Sequence, residues 1–273
     1  MWTALKTKEL RSVKNMLDMT GKKVLITGGS GGIGRASACA LAELGADVVI
    51  TGTNRSSKKL HDIADEIMEI HGTKILPVIC DISEEEQVKE LFEVIRENIG
   101  TIDVAYSNAG FFSRVDVADL PVEDFKKMMD VDVLGTLLVC RNAANMMIKD
   151  GHGGSLILNA SMTGHIVNRR EDGDRYNVAY PAAKGAILNL TRALALDYAQ
   201  FGIRVNSVSP GYILSGIHDG RDPSYFNYTV ENVPMKRYGT LDDIVGSVVY
   251  YASDLSSYTT GADLLVDGGY CAW

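Results

Sequence analysis

Short apolar runs alternate with longer amphipathic stretches from residue 22 almost to the end of the chain. Residues 22–27 (KKVLIT) form a β-branched run ending in glycines, followed by an amphipathic segment at 33–44. Further strand-like runs fall at 46–51, 74–80, 102–107, 155–160, 203–208 and 262–267. Helical periodicity falls between them at 57–71, 83–98, 121–149, 178–200 and 241–253. Ser83, with Glu86 three residues on, predicts a capping box for the helix over 83–98. Apolar strands that alternate with helices predict an α/β fold, a mostly parallel seven-stranded sheet covered on both faces. Right-handed crossovers make such a sheet doubly wound, of Rossmann type, with ligands bound at the carboxyl ends of its strands. No linker or break in composition divides the chain, so it reads as one domain over 20–273 behind an extension at 1–19. Leu5, Leu10, Val13 and Leu17 could form an apolar stripe on a docking helix in that extension.

Composition narrows the function classes. The chain has 273 residues, 46% of them hydrophobic, enough for a sizeable core. Its net charge of −8 argues against a nucleic-acid partner, which needs clustered Lys and Arg. Cys39, Cys80, Cys140 and Cys271 form no CxxC pair, so neither a metal site nor a disulfide framework is expected. The first 19 residues lack the unbroken apolar core of a signal peptide, and no run reads as a membrane span. A cytoplasmic protein without membrane or nucleic-acid partners is the expectation.

Thr27-Gly28-Gly29-Ser30-Gly31-Gly32-Ile33-Gly34 joins the first strand to the first long helix. Glycine permits a positive φ at such a turn and a close approach of backbone to a pyrophosphate. The helix N-terminus behind it supplies amide donors and the positive end of a dipole. Gly28, Ser30, Gly32, Ile33 and Gly34 are the candidate dinucleotide contacts of this loop.

The loop at 27–34, Asn-Ala-Gly at 108–110, Tyr-x-x-x-Lys at 180–184 and Pro-Gly at 210–211 occur in that order. Together they resemble the short-chain dehydrogenase/reductase family, over about residues 20–270. Ser161–Ile166, Ser209–Ile213 and Tyr258–Asp263 resemble a narrower branch of mannitol 2-dehydrogenases, sorbose reductases and gluconate 5-dehydrogenases. Bacterial 20β-hydroxysteroid dehydrogenases are similar too. The resemblance implies an NAD(P)(H)-dependent oxidoreductase that interconverts a secondary alcohol and a ketone.

A ketone needs a proton at oxygen as hydride reaches carbon, and a free Tyr hydroxyl is too weak an acid at neutral pH. Tyr180 and Lys184 share one face of a helix, where an ammonium favours phenolate and lowers the Tyr pKa. Lys184 would also reach the nicotinamide ribose, and Ser161 matches the family serine that bonds the substrate oxygen. Asp132 stands where the family has Asn; an ionised Asp donates no hydrogen bond but could still hold a water of a proton relay, and a buried carboxylate near Tyr180 and Lys184 would disfavour phenolate and favour ammonium. A polar loop, Asn168–Arg175, is expected at the mouth of the site.

Asp81 with Ile82, Asn108 with Ala109 and Gly110, and Pro210, Gly211, Ile213 and Ser215 match cofactor-contacting positions of the family. The second strand ends in Thr51-Gly52-Thr53-Asn54-Arg55, with no acidic residue to bond a ribose 2′-hydroxyl. Thr53, Asn54 and Arg55 favour NADP(H), with NAD(H) the alternative. The segment 212–236 carries Tyr212, Tyr225, Phe226, Tyr228 and His218, aromatics that suit a sugar or a steroid. The polar loop tilts the choice to a polyol or ketose. A hydroxysteroid is the alternative within this chemistry, and a non-catalytic cofactor-binding sensor the alternative outside it. Met128, Leu137, Met146, Leu188 and Leu194 on the helices 121–149 and 178–200 fit either burial within the monomer or the family's homodimer and homotetramer contacts.

Overall fold

The computed structural model describes residues 10–113, 115–168, 178–216 and 223–272. Seven parallel strands pair in the order β3-β2-β1-β4-β5-β6-β7. They are β1 (Lys23–Ile26), β2 (Asp47–Gly52), β3 (Ile75–Ile79), β4 (Val104–Ser107), β5 (Gly154–Asn159), β6 (Ile203–Pro210) and β7 (Asp263–Val266). The chain leaves β1 towards β2 and β3, then returns across the sheet to β4, so the order reverses between β1 and β4. That reversal opens a crevice at the carboxyl ends of the strands.

Alternation along each strand feeds two cores. Leu25, Val49, Ala105, Leu156 and Leu158 face α4 (Glu85–Asn98), α6 (Thr136–Asp150) and α7 (Ala179–Tyr198). Val24, Ile26, Val48, Ile50 and Tyr106 face α2 (Gly32–Glu43), α3 (Ser57–His71) and α9 (Leu241–Ala252). α3 spans the predicted residues, and the other strands and helices lie within a few residues of their expected positions.

Several expectations change. The helix expected at 121–149 runs as α5 (Val122–Met128), a π-helical turn (Met129–Gly135) and α6. Val122–Asp150 is long and apolar enough to cross a membrane by length and composition, and more than half of its apolar window is buried inside the protein, as in a core helix. Ser83 caps nothing: α4 begins after Glu84, and the Ser83 hydroxyl donates to Asp81 Oδ1 at 2.7 Å. Asp81 competes with the helix end for that short side chain. The capping box present here joins Thr240 and Asp243 at the start of α9. A helix absent from the sequence reading, α8 (Pro223–Asn232), lies within 212–236.

The apolar residues on the helices 121–149 and 178–200 serve the monomer: Met128, Met146, Leu188 and Leu194 are buried, and Leu137 packs against the same core. In the extension, Leu5 lies outside the described residues. The short helix α1 (Val13–Leu17) leaves Leu10 and Val13 exposed, so they form no buried stripe. Met19 is the residue that enters the core.

Candidate active site

The glycine loop is locked to the end of β4. Thr27 is fully buried, and its Oγ1 accepts from the amides of Asn108 and Ala109, both at 3.0 Å. Asn108 Nδ2 donates back to the Thr27 carbonyl at 3.0 Å. Gly28 turns with φ +71°, and a Cβ there would meet Ala109 Cα at 2.9 Å. A Cβ on Gly34 would meet the Gly28 carbonyl oxygen at 2.4 Å. Both positions therefore require glycine, and the amino end of α2 opens bare against the loop, in the form that accepts a pyrophosphate. The Ser215 carbonyl closes over Gly32 from the far side of the cleft.

Ser161, Tyr180, Lys184 and Asp132 come from three separate elements and meet in one buried group. Ser161 lies two residues beyond β5 and heads a 3₁₀ turn, where its Oγ accepts from Thr163 N at 3.2 Å and Thr163 Oγ1 at 3.0 Å. With both acceptor sites filled, the Ser161 proton is free to be given to the hydroxyl oxygen of Tyr180, to which it is hydrogen-bonded. Tyr180 lies in the first turn of α7, edge-on to Phe112 with centroids 5.0 Å apart. Lys184, one turn later, donates to the Asn159 carbonyl at 2.9 Å, and its Nζ sits 5.5 Å from the Tyr180 ring centroid.

Asp132 joins this group through an ion pair. The π-helical turn brings it inward, its side chain entirely buried, to pair with Lys184 Nζ at 2.8 Å. Its other oxygen accepts from the Phe111 amide at 2.8 Å. One oxygen is ion-paired to Lys184 and the other accepts from the Phe111 amide, so the carboxylate anchors the lysine and the loop after β4. The electrostatics follow. Burial raises the Tyr180 pKa above its ordinary value; Lys184 and Ser161 oppose the rise, and Asp132 adds to it. The net direction is upward, the reverse of the reading from Tyr–Lys spacing alone. Burial pulls the Lys184 ammonium down, but the charge and hydrogen bond of Asp132, together with Tyr180, outweigh it and hold the pKa up.

Asp81 accepts from the amide and hydroxyl of Ser83, and Ile82 is buried against the π-helical turn at Gly135. Thr53, Asn54 and Arg55 are exposed past the end of β2. Pro210 ends β6; beyond Gly211, Ile213 is buried and bridges to Gly239. Most of the polar loop, 169–175, and His218 lie outside the described residues. Tyr212 is buried against Tyr238 and Tyr270, and Phe226 packs on Tyr238, so these rings build the wall under α8. Thr163 lay within the Ser161–Ile166 motif without a role of its own, and Phe112 and the Asn159 carbonyl carried no signal in the sequence; a backbone carbonyl has none to give.

A cleft of about 620 Å³ opens at the opposite, amino ends of the strands. Its cations are engaged, Lys22 by Asp103 and Arg204 by the carbonyls of Tyr251 and Ser253.

Known proteins match this chain over nearly its whole length. Residues 28–271 match the family model described as enoyl-(acyl carrier protein) reductase. The chain is 36% identical over 261 residues to an NADP-dependent mannitol dehydrogenase of Alternaria alternata, covering 95% of this chain and 96% of that one. It is 38% identical over 272 residues to a sorbose reductase of Candida albicans, covering 97% and 94%. A short-chain type dehydrogenase/reductase from Mycobacterium marinum superposes with a TM-score of 0.89 at 39% identity, covering 95% of this chain and 99% of that one. The chain belongs to the short-chain dehydrogenase/reductase family.

Proposed function

We propose that the protein is an NADP(H)-dependent oxidoreductase that interconverts a ketose and its polyol, or a closely related sugar pair. The buried Ser161–Tyr180–Lys184–Asp132 group beside the glycine loop carries this reading. The loop, the bare end of α2 and Arg55 fit a phosphorylated dinucleotide, whose nicotinamide supplies or accepts the hydride when bound. In reduction, Tyr180 gives its phenolic proton to the substrate oxygen while Ser161 donates a hydrogen bond to that oxygen. In oxidation, Tyr180 takes the hydroxyl proton back. Lys184 holds positive charge beside Tyr180, and Asp132 keeps that charge in place. The names of the mannitol dehydrogenase and sorbose reductase relatives support a sugar substrate over a steroid. Retention of Ser161, Tyr180 and Lys184 supports an enzyme over a sensor. The acidic net charge and the free thiols suit a cytoplasmic protein, and the exposed Leu134 and Leu196 suit a homo-oligomer.

Ketoses, keto-acids and keto-steroids, each offered with NADPH and with NADH, test the reading through loss of reduced-cofactor absorbance. Fastest turnover is expected with a ketose and NADPH. Turnover with a steroid alone would overturn the substrate, and a preference for NADH would overturn the cofactor.

Asp132 predicts a pH signature. Its carboxylate raises the Tyr180 pKa, so it retains the acid form of Tyr180 and suppresses oxidation near neutrality. In Asp132→Asn the charge is gone, while the Asn159 carbonyl still accepts from Lys184. The Tyr180 pKa is then expected to fall, moving the alkaline rise of alcohol oxidation to lower pH. A kcat–pH profile unchanged from wild type would refute this.

A further inference from the structure

Lys59 lies in the first turn of α3 and reaches back to the glycine loop: a Cβ built on Gly31 would come within 3.2 Å of its Nζ. Gly31 is fully extended, with φ 173° and ψ −178°, a backbone that any residue adopts. The turn therefore does not demand glycine at 31; the space beside it is filled by the ammonium. Among the described residues, neither Lys59 nor its neighbours Arg55 and Lys58 forms an ion pair. Arg35, close by on α2, differs, being held by both oxygens of Glu66 at 2.7 and 2.8 Å. A chain of net charge −8 thus leaves three cations without carboxylate partners just past the end of β2. A pyrophosphate is already met by loop amides and the end of α2. Lys59 stands to the side of these, on the same short stretch as Arg55 and Ser56, and Ser56 Oγ lies 2.7 Å from where a Cβ on Gly52 would sit. The group left to recognise there is a phosphate on the adenosine ribose.

We propose that Lys59 is a specificity-determining residue for the 2′-phosphate of NADP(H), its ammonium occupying the space that a side chain at position 31 would take. This rests on the cofactor reading above and adds to it a residue that no motif marks. An ammonium and a guanidinium on one phosphate give strong charge-assisted hydrogen bonds. Substitution at the exposed surface of α3 leaves the core untouched.

The test is calorimetric titration with adenosine 2′,5′-bisphosphate and with 5′-AMP. Wild type is expected to bind the bisphosphate more tightly. Lys59→Met should lose about 10- to 100-fold of affinity for the bisphosphate, as expected for a hydrogen bond between charged groups, with affinity for 5′-AMP retained. Lys58→Met, which removes the same charge one residue away, should keep the preference. A Lys59→Met protein that still prefers the bisphosphate, or equal losses in the two variants, would overturn the assignment. Wild type without any preference would instead remove the NADP(H) reading itself.

Discussion

Replacing Tyr180 with Phe is expected to lower kcat about 10²- to 10⁴-fold, the contribution of a positioned general acid–base. One oxygen is removed and little else changes. The ring keeps its edge-on contact with Phe112 and its place against Met128, Ala179 and Ala183. Lys184 keeps both Asp132 and the Asn159 carbonyl. Ser161 loses one partner and keeps Thr163. Thermal stability and NADPH affinity should therefore stay near wild type, which separates loss of chemistry from loss of fold. Steady-state turnover with the best ketose, together with cofactor-binding fluorescence, measures both. Activity within tenfold of wild type would mean that another group moves the proton.

Lys184→Met should cost both turnover and stability. The ammonium and carboxylate are almost wholly buried, with 3% and 0% of their side chains exposed. Removing one partner strands the other charge in the interior, which costs about 3–5 kcal/mol in buried pairs. The Phe111 amide alone does not replace an ammonium. The double variant Lys184→Met/Asp132→Asn removes the stranded charge, so most of the lost stability should return while turnover stays absent. Urea denaturation of wild type, both single variants and the double variant closes the cycle and isolates the pair. If the double variant is no more stable than Lys184→Met, the pair is not what holds this region.

Asp132 also shows where reading a sequence reaches its limit. Its place in the order of motifs marked it as belonging to the site, but its partner lies on another helix. The π-helical turn that turns it inward has no periodic signature distinct from an ordinary helix. For the same reason 121–149 read as one regular helix. Ser83 failed for a related cause: the spacing to Glu86 is right for a capping box, but Asp81 claims the hydroxyl first. The number of aromatics in 212–236 was visible, but the burial of Tyr212 against Tyr238 and Tyr270 was not.

The alternation of seven strands with amphipathic helices, the glycine loop and the Tyr180–Lys184 spacing were determined by the sequence alone. Each depends on residues within a few positions of one another, where backbone geometry and side-chain period act directly. Three things were decided only by the tertiary structure: the Asp132–Lys184 pair, the upward direction of the Tyr180 pKa and the position of Lys59 over Gly31. All three depend on which distant residues share one small volume and how far water is excluded from it. Folding creates both conditions, and no local pattern encodes either.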